Sequence, residues 1–299
     1  MTPPRTVLVV ALASLLLPLG AAAPSAATDR DRERVRTGTA TGVTERAGEP
    51  MASTERPRVQ GVRRYGETLR ATQGRWTRPP QTVRFQWFRG PDPVRGATSQ
   101  RYRVRPEDVG RQVSVRVKAW REGAGSAYGR SRWVGPVEHR TGVRRVVSYH
   151  VETRGRIVAS LPEFRRQAAE SYADARGWRG RGVVFRRVAR GGDFTLVLAE
   201  ASEVPRFSPG CSAEWSCRVG RYVIINQLRW RTASPAWNRA GGSRRDYRHM
   251  VVNHETGHWL GRGHVGCPGR GRPAPVMMQQ SKGLDGCRHN PWPTLGELR

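Results

Sequence analysis

"SRRDYRHMVVNHETGHWLGRGH", residues 243–264, decides how the C-terminal half of the chain is read. Ser243 and Asp246 have capping-box spacing, and Gly261 is a stop signal, so a helix is expected between them. At about 3.6 residues per turn, His254 and His258 project from one face of that helix. Glu255 sits beside the first of them and leans toward the same cleft. Gly261 breaks the helix, Gly263 lets the chain double back, and His264 can then join the other two histidines.

This is the H-E-x-x-H spacing of zinc hydrolases, extended to H-E-x-x-H-x-x-G-x-x-H with every fixed position matched. His254, His258 and His264 are the expected metal ligands, and Zn2+ is the expected cofactor. Three neutral imidazoles leave a zinc ion one open position, where bound water has its pKa lowered to about 7. Glu255 is the expected catalytic residue: it would take the proton of that zinc-bound water and later deliver one to the leaving amine. The expected activity is therefore that of a zinc metallopeptidase, an endopeptidase hydrolysing peptide bonds. The alternative is a non-catalytic cell-surface binding protein with a structural metal, for which Glu255 would not be needed. His139, His150, His249 and His289 read as ordinary histidines.

Upstream, "VVSYHVE" (146–152) reads as a strand and "SLPEFRRQAAESYADARGW" (160–178) as an amphipathic helix, with Ser160 and Glu163 as cap and Gly177 as stop. "GVVFRRV", "DFTLVLAE" and "RYVIINQLRW" read as further strands. Residues 143–299 thus suggest a small α/β (α+β) domain with a mixed sheet and an active-site helix. Before it, "VRFQWF" and "QVSVRVKAW" alternate in the manner of strands, broken by Gly and Pro clusters. Several short strands at this spacing suggest a β-sandwich.

Two resemblances sharpen this. Residues 57–138 resemble a bacterial Ig-like module of cell-surface proteins, through Gly61, Gly66 and Leu69, the Gly74 and Trp76 pair, "FQWFR", "GAT", Tyr102 and "EDVG". The extended histidine motif resembles the metzincin clan of zinc peptidases. More narrowly, "GHVGCPG", "PAPVMMQQSKGLDGC" and "NPWP" resemble an actinobacterial family of secreted proteins with a metzincin-like domain of unassigned function. The clan resemblance implies a structural methionine turn at Met277, with Met278 as alternative. It also implies a substrate pocket wall near Gln279, Gln280 and Ser281, and a substrate-binding strand somewhere in 193–225. The expected fold is accordingly multidomain: an all-β Ig-like sandwich followed by a metzincin-like domain.

At 299 residues the chain has room for about two domains. Arg5, the apolar run Thr6–Gly20 and the small residues after it read as a signal peptide over 1–27, cleaved or retained as an anchor. No other segment is apolar and long enough to span a bilayer. Residues 28–56 are polar and aperiodic and read as a disordered linker that could cover the cleft. Cys211, Cys217, Cys267 and Cys287 are even in number, which in an exported chain suggests disulfides. The simplest pairing is sequential, though sequence alone leaves other connectivities open. The net charge of +29 is almost entirely arginine, with Lys118 and Lys282 the only lysines, and it is spread along the chain. No nucleic-acid recognition motif accompanies it, so no specific nucleic acid is expected as partner. The expected partner is a protein or peptide substrate, met by a secreted or cell-surface monomer.

Overall fold

The computed structural model describes residues 49–299. The expected signal peptide, and residues 28–48 of the expected linker, lie outside the described residues. The linker reading ends before residue 56, because Ser53–Glu55 forms a strand and Met51 is buried.

The first half contains nine strands. They are β1 (Ser53–Glu55), β2 (Val59–Gln60), β3 (Thr68–Ala71), β4 (Arg75–Trp76) and β5 (Thr82–Arg89), then β6 (Asp92–Pro93), β7 (Arg101–Arg103), β8 (Val113–Arg121) and β9 (Gly125–Arg130). They pair into three separate small sheets: β1-β4, β2-β3-β7 and β6-β5-β8-β9. Alternation sets the buried face. Val113, Val115, Val117 and Ala119 of β8 point into a core with Trp87, Leu69 and Tyr102, while the residues between them face outward. Trp87 stacks on Tyr102 at 5.2 Å and donates its Nε1 proton to Ser99 O, so this tryptophan is structural.

The second half begins with β10 (Arg145–Arg154), α1 (Leu161–Ala173), β11 (Val183–Arg187) and β12 (Phe194–Ala199). It continues with β13 (Cys217–Val219), β14 (Tyr222–Asn226), α2 (Gln227–Thr232), α3 (Pro235–Arg239) and α4 (Arg244–Trp259). The five-stranded sheet has the order β11-β10-β12-β14-β13. All its pairings are parallel except β13 with β14, which leaves β13 as an antiparallel edge. β12 is buried throughout, as a central parallel strand must be. α1 and α4 pack together on the sheet through Phe164, Tyr172, Met250 and Val251. Arg248 ties α4 to α1 by donating to Glu163 at 2.6 Å, and to α2 by donating to Trp230 O at 2.8 Å.

This corrects the expected fold class. The described residues form a mixed α/β arrangement of several small sheets, not an Ig-like sandwich followed by a metzincin domain. β1, β2, β4 and β6 have only two or three residues each, and left-handed glycines at 61, 66 and 74 interrupt them. Strands this short each pair through only two residues, so they leave the sheets small and separate. Two boundaries also move. "RYVIINQLRW" does not stay extended, because Asn226 accepts from Leu228 N at 2.9 Å and caps α2. The first helix stops at Ala173 instead of running to Gly177, with Asp174 as its C-cap.

Candidate metal centre

α4 starts where the sequence indicates. The Ser243 hydroxyl accepts from Asp246 N at 3.0 Å, and Leu260 closes the helix just before the left-handed Gly261. Sixteen residues of helix bring His254 and His258 to one face, and the turn after Gly261 returns His264 to them. His258 Nε2 lies 3.1 Å from His254 Nε2 and 3.0 Å from His264 Nε2.

The tautomers follow from the partners. His254 Nδ1 faces the Val276 carbonyl at 2.8 Å, and His258 Nδ1 faces the Arg262 carbonyl at 2.8 Å. A carbonyl only accepts, so both Nδ1 atoms carry the proton and both Nε2 atoms present lone pairs. Two lone pairs about a hydrogen-bond length apart repel unless a cation lies between them. The donor set therefore fits a metal ion, and His254, His258 and His264 could hold one. Burial reinforces this by disfavouring the imidazolium forms. The His254 pKa is pushed down to about 3, and those of His258 and His264 are also lowered.

Glu255 is buried at 6% exposure in the same cleft, and burial pushes its pKa up to about 8, with Arg218 pulling the other way. The cleft, of about 310 Å³, is walled by the cysteine loop and β13 on one side and by 279–282 on the other. Gln279, Gln280 and Ser281 all line the cleft. The Gln280 side chain, however, is occupied in holding its own loop, bonding to Pro275 O, Asn290 O and Asn290 N. Ser281 is hydrogen-bonded to Tyr247 at 2.9 Å.

Met277 is the methionine beneath the helix. A Cβ placed on Gly257 would overlap Met277 Sδ and the Trp178 ring, so the thioether packs directly under the H-E-x-x-H turn. Met278 instead joins a separate small cluster with Ala274 and Cys287. The disulfides are Cys211–Cys217 and Cys267–Cys287, the sequential pairing. The first closes the loop that walls the cleft. His249 binds Ser171 at 2.8 Å, and His150 binds Glu152 at 2.9 Å, away from the histidine cluster.

Two positioning residues lie outside the expectations drawn from sequence. Asn226 donates from its side-chain amide to Ala213 O at 2.8 Å and from its backbone N–H to Ser216 Oγ at 3.1 Å, which ties the cysteine loop to the start of α2. Glu297 takes the backbone N–H groups of Val276 and Met277 at 3.1 and 2.8 Å. Asn226 also caps α2, and Thr294-x-x-Glu297 has capping-box spacing, but neither local signal points to these longer-range contacts.

Residues 123–293, more than half of the chain, match a family described as "Protein of unknown function (DUF3152)". The chain belongs to that family. No curated protein matches the sequence. The family match begins at the β8–β9 turn, so it takes in β9, the whole five-stranded sheet and the histidine cluster. Glu297 lies just beyond its end.

Proposed function

We propose that this DUF3152 protein is an exported zinc-dependent endopeptidase that hydrolyses peptide bonds in the cleft over α4. The observation that carries the reading is the convergence of three imidazole Nε2 atoms beside a buried carboxylate that is not part of their cluster. His254, His258 and His264 would hold the ion, and imidazole nitrogens suit zinc. Bound zinc would supply a Lewis acid and acidify water to a pKa of about 7.

Glu255 would accept the proton of the attacking water and return one to the leaving amine. Among the described residues no fourth His, Cys, Asp or Glu joins the cluster, which favours an open catalytic position over a closed structural site. The free edge of β13 borders the cleft, so a substrate main chain could add there as a further strand. Met277 under Gly257 supports the resemblance to metzincin peptidases, and the two disulfides support an oxidising, extracellular compartment.

The test is Glu255→Gln, assayed on a substrate found by peptide-library digestion with and without chelator. The amide keeps the shape but cannot take a proton. Metal content should stay at about one zinc per chain, as a single site requires, while turnover falls about 10²–10⁴-fold. Equal cleavage by both zinc-loaded proteins would remove Glu255 from the mechanism.

A further inference from the structure

The outward face of the four-stranded sheet is as unusual as the cleft. On β8 it carries Arg116, Lys118 and Trp120, all exposed. Across the ladder, Lys118 stands opposite Arg84 of β5 on one side and Tyr128 of β9 on the other. Arg116 stands opposite Arg130. Like charges directly opposite each other destabilise a sheet. Here two such pairs adjoin, Arg84 with Lys118 and Arg116 with Arg130. None of these four cations forms an ion pair with a described residue, and no Asp or Glu occupies a register position on this face.

The cations are interleaved with aromatic rings. Arg116 lies over Phe88 and Tyr128, each at 5.2 Å, and Lys118 lies over Tyr128 at 5.6 Å. Arg130 lies over Phe88 and Trp133, each at 4.5 Å. Tyr128 is 57% exposed, Trp120 41% and Trp133 38%, so part of each ring stays open to a partner beside the cations. Thr82, Arg84, Lys118 and Trp120 also line a shallow groove. Folding alone does not favour this combination: the like-charge pairs cost stability, and the exposed rings contribute little burial. An anionic ligand would relieve the repulsion, and flat rings would stack on it.

We propose that this face is a binding platform for an acidic polysaccharide. Carboxylates along a glycan chain would meet Arg84, Arg116, Lys118 and Arg130. The apolar C–H faces of its sugar rings would stack on Trp120, Tyr128 and Trp133. The two disulfides suit an oxidising compartment outside the cytosol, and exposed rings interleaved with cations suit a ligand that carries both carboxylates and apolar sugar faces. The inference does not depend on the chemistry of the histidine cluster.

The experiment measures binding of the full chain to polygalacturonate, with neutral dextran and a single-stranded DNA oligonucleotide as comparisons, at about physiological ionic strength. Three variants separate specific from diffuse charge: Arg84→Gln/Arg116→Gln/Lys118→Gln, the aromatic pair Trp120→Ala/Tyr128→Ala, and the control Arg165→Gln/Arg187→Gln/Arg190→Gln. Circular dichroism checks that each variant folds. The expected result is at least a tenfold loss of polygalacturonate affinity in both face variants, a smaller loss in the control, and no dextran binding. The proposal is overturned if the wild type does not bind polygalacturonate. An equal loss in the control would overturn it too, by making the attraction diffuse. Tighter binding of the oligonucleotide, with the same residue dependence, would make the platform one for single-stranded nucleic acid instead.

Discussion

His254 donates its Nδ1 proton to the carbonyl of Val276 at 2.8 Å, and this bond decides which nitrogen of His254 faces the cleft. Val276 is itself held from the other side. Its N–H, with that of Met277, donates to the Glu297 carboxylate, which also takes the backbone N–H and hydroxyl of Thr294. Thr294 and Glu297 thus fix the turn that orients His254, the first of the candidate metal ligands.

Removing that carboxylate should therefore loosen the site without touching a ligand. Glu297→Ala is expected to weaken zinc affinity up to about 10-fold, the low end of what losing a ligand's direct partner costs, because Glu297 acts one step further out through Val276. A competition titration against a chromophoric chelator measures it. Glu297→Gln should lie between the two proteins, since its amide oxygen accepts fewer of these bonds. Identical affinity in all three would mean that the turn holds its shape without Glu297.

The two disulfides should differ in weight. Cys267–Cys287 spans a separation of 20 residues and Cys211–Cys217 only 6. On a chain-entropy basis the longer loop is worth about 3 kcal/mol and the shorter about 2 kcal/mol. Denaturant midpoints of the paired Cys→Ser variants should show the larger loss for 267/287. The 211/217 variant should instead disturb the cleft more, because that loop lines it. A reversed order of stability losses would count against the loop-closure account.

What could be read in the sequence was local. His254, Glu255, His258 and His264 fall within one helix and the turn after it, so spacing alone brings the three imidazoles together. The caps Ser160 and Ser243 act within three residues and were equally legible. Asn226 and Glu297 act across the fold, through contacts that periodicity cannot encode. The pairing of the first half is hidden for a related reason. Alternation in "QVSVRVKAW" tells which face of β8 is buried but not which strands join it, and pairing across short strands depends on long-range register. The apolar run through Tyr222–Asn226 likewise continues smoothly into "QLRW", and only the Asn226 side chain turns it into helix.

Acid should destabilise the protein through its buried histidines, and His249 offers a clean test away from the ligands. Burial holds its pKa below the ordinary value; Arg245 adds to this, while Asp174, Asp246 and Glu170 oppose it. Between that lowered value and about 6.5, the ordinary histidine value, the unfolded chain binds more protons than the folded one. Stability is then fully present above about pH 6.5 and declines as pH falls through the folded value. In His249→Gln the decline between about pH 7 and pH 5 should be shallower than in wild type. Urea midpoints at several pH values measure it. Parallel pH profiles for the two proteins would exclude His249 from the acid response.

Gly257 sets two effects of opposite sign against each other. In a helix interior, replacing glycine by alanine usually gains up to about 1 kcal/mol, because alanine loses less backbone entropy on folding. Gly257 lies within α4, so Gly257→Ala should stabilise if propensity governs. The added methyl would, however, meet Met277 Sδ and the Trp178 ring. Both are buried, and Trp178 is pinned by its Nε1 bond to Asn253 O at 2.9 Å, so neither can withdraw freely. Forcing a methyl into a packed core costs about 1–3 kcal/mol, which exceeds the gain in propensity. The expected outcome is a net loss of about 1–2 kcal/mol in denaturant unfolding. Zinc affinity should also fall, because Met277 shares its turn with Val276, the acceptor for His254. The losses of Gly257→Ala and Met277→Ala should be less than additive in the double variant, since the second change makes room for the methyl. A single variant as stable as wild type, with unaltered zinc affinity, would mean that the thioether is not packed against the helix at Gly257.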